Sequence, residues 1–285
     1  MNTFFLDRLN SEPHALAFAG QSTPWPVALA DQSANPALDE ALHTHAAAAQ
    51  ALLYPVSAEL LATTGRPVDL FGFEPNPARL GAAAAASASV PGIALTQLGA
   101  LLDAAALGYN PAQAKPVAVL GHSQGVLAVH MVQAICEAGS IDAAAAKIDE
   151  ILAIATLIGV AGTRQARQLG LAARHGEATP MLSVKDITRA QVDALIERVD
   201  GARGPIAVAV TNSATHYVLS GYPEDLAAFG VEVAKEHKRQ AQLREEKMRG
   251  GRVFNPVLEY LDVTLPFHSP LMADAVSQAV AWAEA

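Results

Sequence analysis

Residues 117–128 read Val-Ala-Val-Leu-Gly-His-Ser-Gln-Gly-Val-Leu-Ala. The apolar run before Gly121 predicts a β-strand, and the small residues around and after Gly125 are typical of a closely packed helix. Gly-x-Ser-x-Gly between a strand and a helix indicates a nucleophile elbow, in which the chain turns sharply at the serine. We therefore predict that Ser123 is a nucleophile at a helix N-terminus, where free N–H groups favour a developing negative charge. An ordinary turn is the alternative.

The composition is that of an ordered protein with an acidic surface. Of its 285 residues, 51% are hydrophobic and only 16% are charged, which excludes a disordered chain. The net charge of −9 argues against nucleic acid or an anionic membrane as the main partner. An anionic ligand must therefore be bound by a local basic patch or by backbone N–H groups.

Three features bear on localisation and predict a cytoplasmic protein. The N-terminus carries Asp7 and no long apolar region, so no signal peptide is expected. The single cysteine, Cys136, cannot form an intramolecular disulfide, which fits a reducing compartment. The uncharged stretch 80–102 is long enough to span a membrane, but it is rich in alanine and interrupted at Pro91, so we predict two buried helical pieces.

The chain before the elbow is predicted to be a strand followed by helices. Residues 14–19 form a short strand ending at Gly20, whose loop either presents backbone N–H groups to a ligand or is an ordinary turn. Residues 36–64 are helical, with Pro55 separating two helices or kinking one. A long helix is also predicted over 142–169.

From Thr179 onward the pattern predicts the order βαββαβ of a small ferredoxin-like unit. The strands are predicted at 181–184, 206–210, 217–220 and 258–265, and the helices at 188–199 and 224–238. We predict an α/β protein with two parts. Residues 1–178 and 265–285 form a hydrolase-like core with a parallel sheet and the elbow, and residues 179–264 form the inserted ferredoxin-like subdomain.

A dense basic segment precedes the last predicted strand. Residues 235–252 include Arg249 and Arg252 and form the most basic segment of an acidic chain. Such a segment is the natural place for phosphate contacts, and a solvated helix and loop is the alternative.

A second catalytic candidate, His268, follows the last predicted strand in the segment Leu-Pro-Phe-His-Ser-Pro-Leu. A serine hydroxyl is almost wholly protonated at neutral pH and needs a base, and the pKa of histidine suits that role. His122 also lies in a motif, but as the end of the elbow's strand it is expected to be structural.

These motifs resemble those of the acyl-CoA:carrier-protein acyltransferase family, which has a Gly-Gln loop, a Gly-His-Ser-x-Gly elbow and a later Phe-His-Ser. Here they read Gly20-Gln21, Gly121 to Gly125, and Phe267-His268-Ser269. The family also has a hydrolase-like subdomain with a ferredoxin-like insert before the histidine. Within the family, the chain is most similar to the acetyltransferase domain at the N-terminus of bacterial type I fatty acid synthase and its fungal β-subunit counterpart.

The resemblance implies roles for five residues. Ser123 would be the nucleophile, His268 the general base and acid, and the backbone N–H groups of Gln21 and Gln124 the oxyanion hole, while Gln97 would line the pocket. The family implies that acetyl-CoA acylates the serine and that the phosphopantetheine thiol of an acyl carrier protein then takes the acyl group. It implies no metal and no permanently bound cofactor, and its other partners would be neighbouring domains of a type I fatty acid synthase.

The absence of an arginine bears on the acyl group. Malonyl-specific members of the family use an arginine after the serine helix to bind the free carboxylate, whereas here no arginine lies between Ser123 and Arg164. A buried carboxylate without a cation is costly, so we predict an uncharged acyl group such as acetyl.

Two departures from the family pattern remain. The loop reads Gly-Gln-Ser, with Ser22 where many relatives have glycine. The family fold also continues past the histidine motif, so we expect this chain to be a C-terminally incomplete piece of a longer polypeptide.

The alternatives to an acetyltransferase are a malonyl or palmitoyl transferase of the same family, a serine hydrolase or thioesterase, and an inactive structural segment.

Overall fold

The computed structural model describes residues 8–20, 24–65, 86–171, 178–200, 202–247 and 254–285. The chain forms two compact units, one of Met1–Thr163 with Gln278–Ala285 and the other of Arg164–Ser277. The second unit contains the whole of the predicted subdomain, residues 179–264, together with residues on both sides of it.

Helices make up most of the first unit. They are α1 (Trp25–Ser33), α2 (Pro36–Leu52), α3 (Ser57–Thr64), α4 (Ala86–Ala106), α5 (Pro111–Ala114), α6 (Val126–Ala138) and α7 (Ala145–Gln168), the last of which continues into the second unit. The side chain of Asn35 caps α2 by accepting a hydrogen bond from the N–H of Ala37. A 3₁₀ turn at Tyr54–Val56 separates α2 from α3, so the two-helix alternative is correct.

Helix α4 corrects the prediction of two helical pieces, because it passes through Pro91 without a break. Proline lacks one N–H donor, and the burial of nearly every residue from Ala86 to Gly99 offsets that loss. A Cβ on Gly92 would lie 2.5 Å from the indole of Trp25, so this glycine lets α1 pack directly on α4. Of the helices described, α4 alone has the length and hydropathy to cross a membrane. In its 18-residue hydrophobic stretch, however, 72% is buried within the chain, as in a core helix.

Two parallel strands, β1 (Ala15–Phe18) and β2 (Ala118–Gly121), form the described sheet of the first unit, as predicted. Ala15 pairs with Ala118 and Phe18 pairs with Gly121. Because the strands are parallel and in register, their carboxyl ends meet at one edge, which brings the loop after β1 next to the elbow after β2.

The second unit contains the predicted βαββαβ order. Its elements are β3 (Met181–Lys185), α8 (Arg189–Ile196), β4 (Ala207–Ser213), β5 (His216–Ser220), α9 (Pro223–Lys247) and β6 (Val257–Tyr260), followed by α10 (Ala273–Ala283), which ends in the first unit. The strands lie in the order β4-β5-β3-β6, and every neighbouring pair is antiparallel.

The sheet of the second unit is covered on both faces. On one face, Leu182 and Leu219 pack with Phe229 of α9 in a core that includes residues of α8. On the other face, Met181 and Val218 form a smaller core against which Phe267 packs. The alternation of side chains along each strand accounts for the two cores. The loop that carries Phe267 and His268 is therefore anchored on the sheet.

The flanks of the second unit extend it beyond the predicted boundaries. The side-chain amide of Gln165, at the end of α7, donates a hydrogen bond of 2.9 Å to the carbonyl oxygen of Leu271. The guanidinium of Arg203 donates to the carbonyl oxygen of Leu169 at 3.0 Å.

Strand β6 ends at Tyr260, five residues before its predicted end, so the chain up to residue 265 is a loop.

Helix α9 corrects a second prediction, because it continues to Lys247 rather than ending at residue 238. It therefore includes much of the basic segment of residues 235–252. Glu236 on this helix is 7% exposed and accepts hydrogen bonds from Arg239, Gln240 and Arg198. Above all, the hydrogen bond from Arg239 lowers the pKa of Glu236 to about 2.

Candidate active site

The strand, turn and helix around Ser123 have the geometry of a nucleophile elbow. Strand β2 ends at Gly121, a 3₁₀ turn covers Ser123–Gly125, and α6 begins at Val126. Ser123 has a φ of 52°, a left-handed conformation that is uncommon for any residue except glycine. This sharp turn places the serine at the start of a helix, as the sequence predicts.

Two glycines of the motif make the turn possible. A Cβ on Gly121 would lie 2.5 Å from backbone atoms of Gly125 and Val126. A Cβ on Gly125 would lie 2.3 Å from the carbonyl oxygen of Phe18. Since these neighbours are backbone atoms, which cannot rotate away, neither position tolerates a side chain. The elbow therefore packs directly against the end of β1.

The Gly-Gln loop lies against the elbow, as far as the structure describes it. A Cβ on the buried Gly20 would lie 2.7 Å from the carbonyl oxygen of His122, 3.1 Å from Cβ of Ser123 and 3.4 Å from the backbone nitrogen of Gln124. The structure thus brings the predicted loop and the predicted nucleophile together. Gln21, the predicted oxyanion donor, lies outside the described residues.

Gln124 contacts its neighbours through both its backbone nitrogen and its side-chain amide. Its backbone nitrogen lies 3.4 Å from the position that a Cβ on Gly20 would occupy, and its role in an oxyanion hole stays a prediction. Its side-chain amide donates a hydrogen bond of 2.5 Å to the carbonyl oxygen of Val90 in α4. The elbow is therefore tied to α4, a contact that the motif by itself does not predict.

Gln97 is close to the site, but its side-chain contact is with the protein backbone. It lies on α4, is 9% exposed, and donates a hydrogen bond of 2.7 Å from Nε2 to the carbonyl oxygen of Ala19. Ala19 immediately precedes Gly20. The sequence prediction of a pocket-lining residue missed this contact, because nothing in the pattern of α4 indicates which loop its polar residues reach.

His268 belongs to the second unit, and its loop is stiffened by local contacts. It is exposed and has a φ of 57°. The hydroxyl of Ser269 donates to the carbonyl oxygen of Pro266 at 2.7 Å, and Phe267 packs on the sheet. The carbonyl oxygen of Leu271 accepts from Gln165. These contacts hold the histidine on a defined turn, and its pairing with Ser123 stays a prediction.

The remaining predicted site residues, Arg249 and Arg252, lie outside the described residues. Earlier basic residues of the same segment pair with acids on α9, since Lys235 contacts Glu232 at 2.6 Å and Arg239 contacts Glu236 at 2.5 Å. The first part of the segment is therefore engaged in surface ion pairs, and phosphate binding by the two arginines stays a prediction. Among the described residues, no group of three or more His, Cys, Asp or Glu side chains could hold a metal ion.

Comparison with known sequences points to fatty acid synthases. Residues 180–260 match the profile of the family described as the fatty acid synthase central AT domain. Over 206 residues, the chain is 27% identical to fatty acid synthase subunit beta of Schizosaccharomyces pombe, a match that covers 66% of this chain and 10% of that protein. The chain therefore spans about a tenth of the length of this relative.

Comparison with solved structures identifies the fold. MCAT from Mycobacterium tuberculosis superimposes with a TM-score of 0.57 at 20% identity, covering 95% of this chain and 69% of that chain. The malonyl CoA-acyl carrier protein transacylase of Coxiella burnetii gives a TM-score of 0.58 at 17% identity, with 95% and 68% covered. At these identities the likeness concerns the fold alone.

The chain therefore shares its α/β fold with these two solved structures. The sequence similarities are to a fatty acid synthase domain over residues 180–260 and to a fatty acid synthase subunit.

Proposed function

We propose that this chain transfers an acyl group from a CoA thioester to the phosphopantetheine thiol of an acyl carrier protein, through an ester on Ser123. The observation that carries the proposal is the contact between Gly20 and the elbow, in which a glycine loop lies beside the Cβ of Ser123 and the backbone nitrogen of Gln124. A nucleophile next to a backbone N–H group that can stabilise an oxyanion suits attack on a carbonyl carbon.

In the proposed first half-reaction, His268 takes the proton of the Ser123 hydroxyl while Oγ attacks the thioester carbonyl carbon. The oxygen of the tetrahedral intermediate carries a negative charge, and the backbone N–H groups of Gln21 and Gln124 stabilise it. The carbon–sulfur bond then breaks, His268 returns the proton to sulfur, and CoA leaves as a thiol. In the second half, the carrier thiol attacks the ester and Ser123 recovers its proton.

We propose acetyl as the acyl group that the site accepts. Lys147 is the only lysine or arginine from Gln124 to Thr163, and it is exposed and paired with Glu150 at 2.5 Å. A side chain in a surface ion pair does not serve as the partner of a buried malonyl carboxylate, whose desolvation without a cation is costly. We also propose an origin in a type I fatty acid synthase of the cytoplasm, with its other domains as neighbours, on the basis of the similarity to the fungal synthase subunit.

The test is incubation with radiolabelled acetyl-CoA, with and without acyl carrier protein. We expect a stable label on the wild-type chain, transfer of that label to the carrier thiol, and no label on a Ser123→Ala variant. A His268→Ala variant should acquire label at least about 100-fold more slowly, since it lacks the base. Equal labelling of the Ser123→Ala variant would refute both the mechanism and the nucleophile.

Malonyl-CoA and palmitoyl-CoA form the second arm of this test. Because the site is proposed to accept an uncharged short acyl group, we expect acetyl to be transferred in preference to both. Efficient labelling by malonyl-CoA would contradict the argument from the missing arginine and would identify a malonyl transferase.

A serine hydrolase or thioesterase is the second candidate, because the elbow of Ser123 is shared with hydrolases. The discriminating measurement is the fate of the acetyl group when the carrier protein is present. Release of free acetate faster than transfer to the carrier would favour the hydrolase, whereas a long-lived ester that is discharged by the carrier thiol would exclude it.

A further inference from the structure

One carbonyl group connects helix α4 to the candidate oxyanion loop. The carbonyl oxygen of Ala19 accepts the 2.7 Å hydrogen bond from Nε2 of Gln97. The same oxygen lies 3.0 Å from the position that a Cβ on Gly125 would occupy. It is therefore held between a buried side chain of α4 and the backbone of the elbow.

Fixing this oxygen orients the start of the loop. The carbonyl of Ala19 and the nitrogen of Gly20 belong to one planar peptide unit, so the hydrogen bond from Gln97 sets the direction in which the chain enters Gly20. Gly20 in turn lies against His122 and Ser123 with no room for a Cβ. The next N–H along the chain is that of Gln21, the proposed oxyanion donor.

The choice of glutamine at position 97 is not explained by packing. The position is 9% exposed on a helix whose buried residues are mostly apolar, and a methionine would fill a similar volume. Burying an amide costs about 1–3 kcal/mol for each polar group left without a hydrogen bond. Within the described part of the chain, Oε1 of Gln97 is buried and has no hydrogen-bond partner. The buried amide is instead accounted for by the carbonyl oxygen that its N–H group binds, which precedes the Gly20 loop.

We propose that Gln97 is a positioning residue, which holds the peptide unit between Ala19 and Gly20 so that the oxyanion loop stays aligned with Ser123. The inference rests on the proposed acyl transfer, and it replaces the predicted role of Gln97 in lining the pocket. Stabilisation of an oxyanion depends on donors that are fixed before the charge develops, so a small rotation of the loop lowers the rate without removing any reacting group.

Gln32 provides a matched control on the same helix interface. Its Nε2 donates 2.9 Å to the carbonyl oxygen of Thr96 in α4, and its Oε1 is also buried without a partner in the described ranges. The carbonyl that it binds belongs to a helix and not to the Gly20 loop. A Gln32→Met variant therefore loses an equivalent hydrogen bond to the same part of α4, but one that does not reach the Gly20 loop.

The experiment measures two rates for Gln97→Met, Gln97→Ala and Gln32→Met. The first is steady-state acetyl transfer. The second is labelling of Ser123 by a fluorophosphonate, in which Oγ bonds to phosphorus and fluoride leaves, so that neither CoA nor carrier protein is needed. A wild-type chain that reacts with the fluorophosphonate but transfers no acetyl group would refute the proposed function while leaving the role of Gln97 measurable.

We expect both rates to fall about 10- to 100-fold in Gln97→Met, with kcat reduced and KM changed less than about threefold. Gln97→Ala should be about as slow as Gln97→Met although it loses more packing and melts at a lower temperature. Gln32→Met should keep both rates within about threefold of the wild type.

Two results would overturn the inference. In the first, Gln97→Met keeps the wild-type labelling rate. In the second, the three variants lose rate in proportion to their loss of melting temperature, which would identify a packing role shared with Gln32.

Discussion

At the scale of single residues, the site contains left-handed backbone conformations that residues other than glycine rarely adopt. Ser123 and His268 both have positive φ values, 52° and 57°, which cost a residue other than glycine on the order of 1–2 kcal/mol. Such strain persists only where neighbouring contacts hold it. Around Ser123 the chain packs closely at three glycines, Gly20, Gly121 and Gly125, where an added Cβ would lie 2.7 Å or less from a backbone atom of another residue.

The first prediction at this scale concerns Gly20→Ala. The added Cβ would lie 2.7 Å from the carbonyl oxygen of His122 and 3.1 Å from Cβ of Ser123, so the loop must move away from the elbow. We expect fluorophosphonate labelling of Ser123 to slow about 100-fold, as when an oxyanion donor is lost.

Gly230→Ala serves as its control. Gly230 lies within α9, and a Cβ there would meet only Cδ1 of Leu258 at an ordinary 3.6 Å. This variant should keep the wild-type rate and gain about 0.5–1 kcal/mol in unfolding free energy. Wild-type labelling by Gly20→Ala would show that the loop does not contribute to the reactivity of Ser123.

At the scale of elements, helix α4 supports both halves of the proposed oxyanion site. The carbonyl of Val90 binds the side chain of Gln124 on the elbow, and Gln97, two turns further along, binds Ala19 before the loop. One rigid element thus fixes two loops that are about 100 residues apart in the chain. The prediction that Gln97→Met slows labelling of Ser123, while Gln32→Met does not, belongs to this scale.

Glu236 on helix α9 leads to a prediction about how the stability of the protein depends on pH. The folded pKa of Glu236 is about 2, below the ordinary 4.5 of a glutamate, so its contribution to stability is fully present above about pH 4.5 and is lost as pH falls towards 2. Glu236→Gln should lower the melting temperature at neutral pH, equivalent to about 1–2 kcal/mol. The difference from the wild type should shrink below about pH 4.5.

Thermal unfolding of both proteins between about pH 3 and pH 7 tests this, since other acids contribute equally to each and cancel in the difference. Glu245→Gln, a substitution at an exposed position on the same helix, is the control and should leave the melting temperature close to that of the wild type. A difference for Glu236→Gln that stays constant down to about pH 3 would contradict the role of its charge.

At the scale of the whole molecule, an acidic chain with a net charge of −9 is proposed to bind an anionic CoA thioester. The Debye length at physiological salt is about 8 Å, so distant acids act weakly and nearby arginines dominate. We predict that a double variant, Arg249→Gln with Arg252→Gln, weakens CoA binding about 5- to 10-fold at low salt. The effect should diminish as salt rises, and titration calorimetry measures it.

The control must change the net charge by the same amount elsewhere. Lys147 and Arg189 pair on the surface with Glu150 and Asp193, so the variant Lys147→Gln with Arg189→Gln changes only general electrostatics. Equal loss of CoA affinity in both double variants would assign the effect to net charge and leave the basic segment as a solvated surface.

Several elements could be predicted from local patterns, and the errors had long-range causes. The βαββαβ order and the elbow were predicted correctly, because alternation and glycine spacing are local signals. The predicted break at Pro91 was wrong, since burial of α4 offsets one lost hydrogen bond. The predicted end of α9 was also wrong, because Arg198, 38 positions earlier in the chain, binds Glu236 where the pattern turns polar.

The sequence by itself determined that Ser123 lies on a strand–turn–helix elbow and that Gly20 follows a strand, because glycine permits sharp turns and β-branched residues favour extended strands wherever they occur. Only the tertiary structure decided that these two loops touch and that Gln97 holds one of them. Those contacts join residues 78 or more positions apart. Which residues meet over such separations depends on the register of β1 with β2 and on the packing of α4, and no local pattern encodes either.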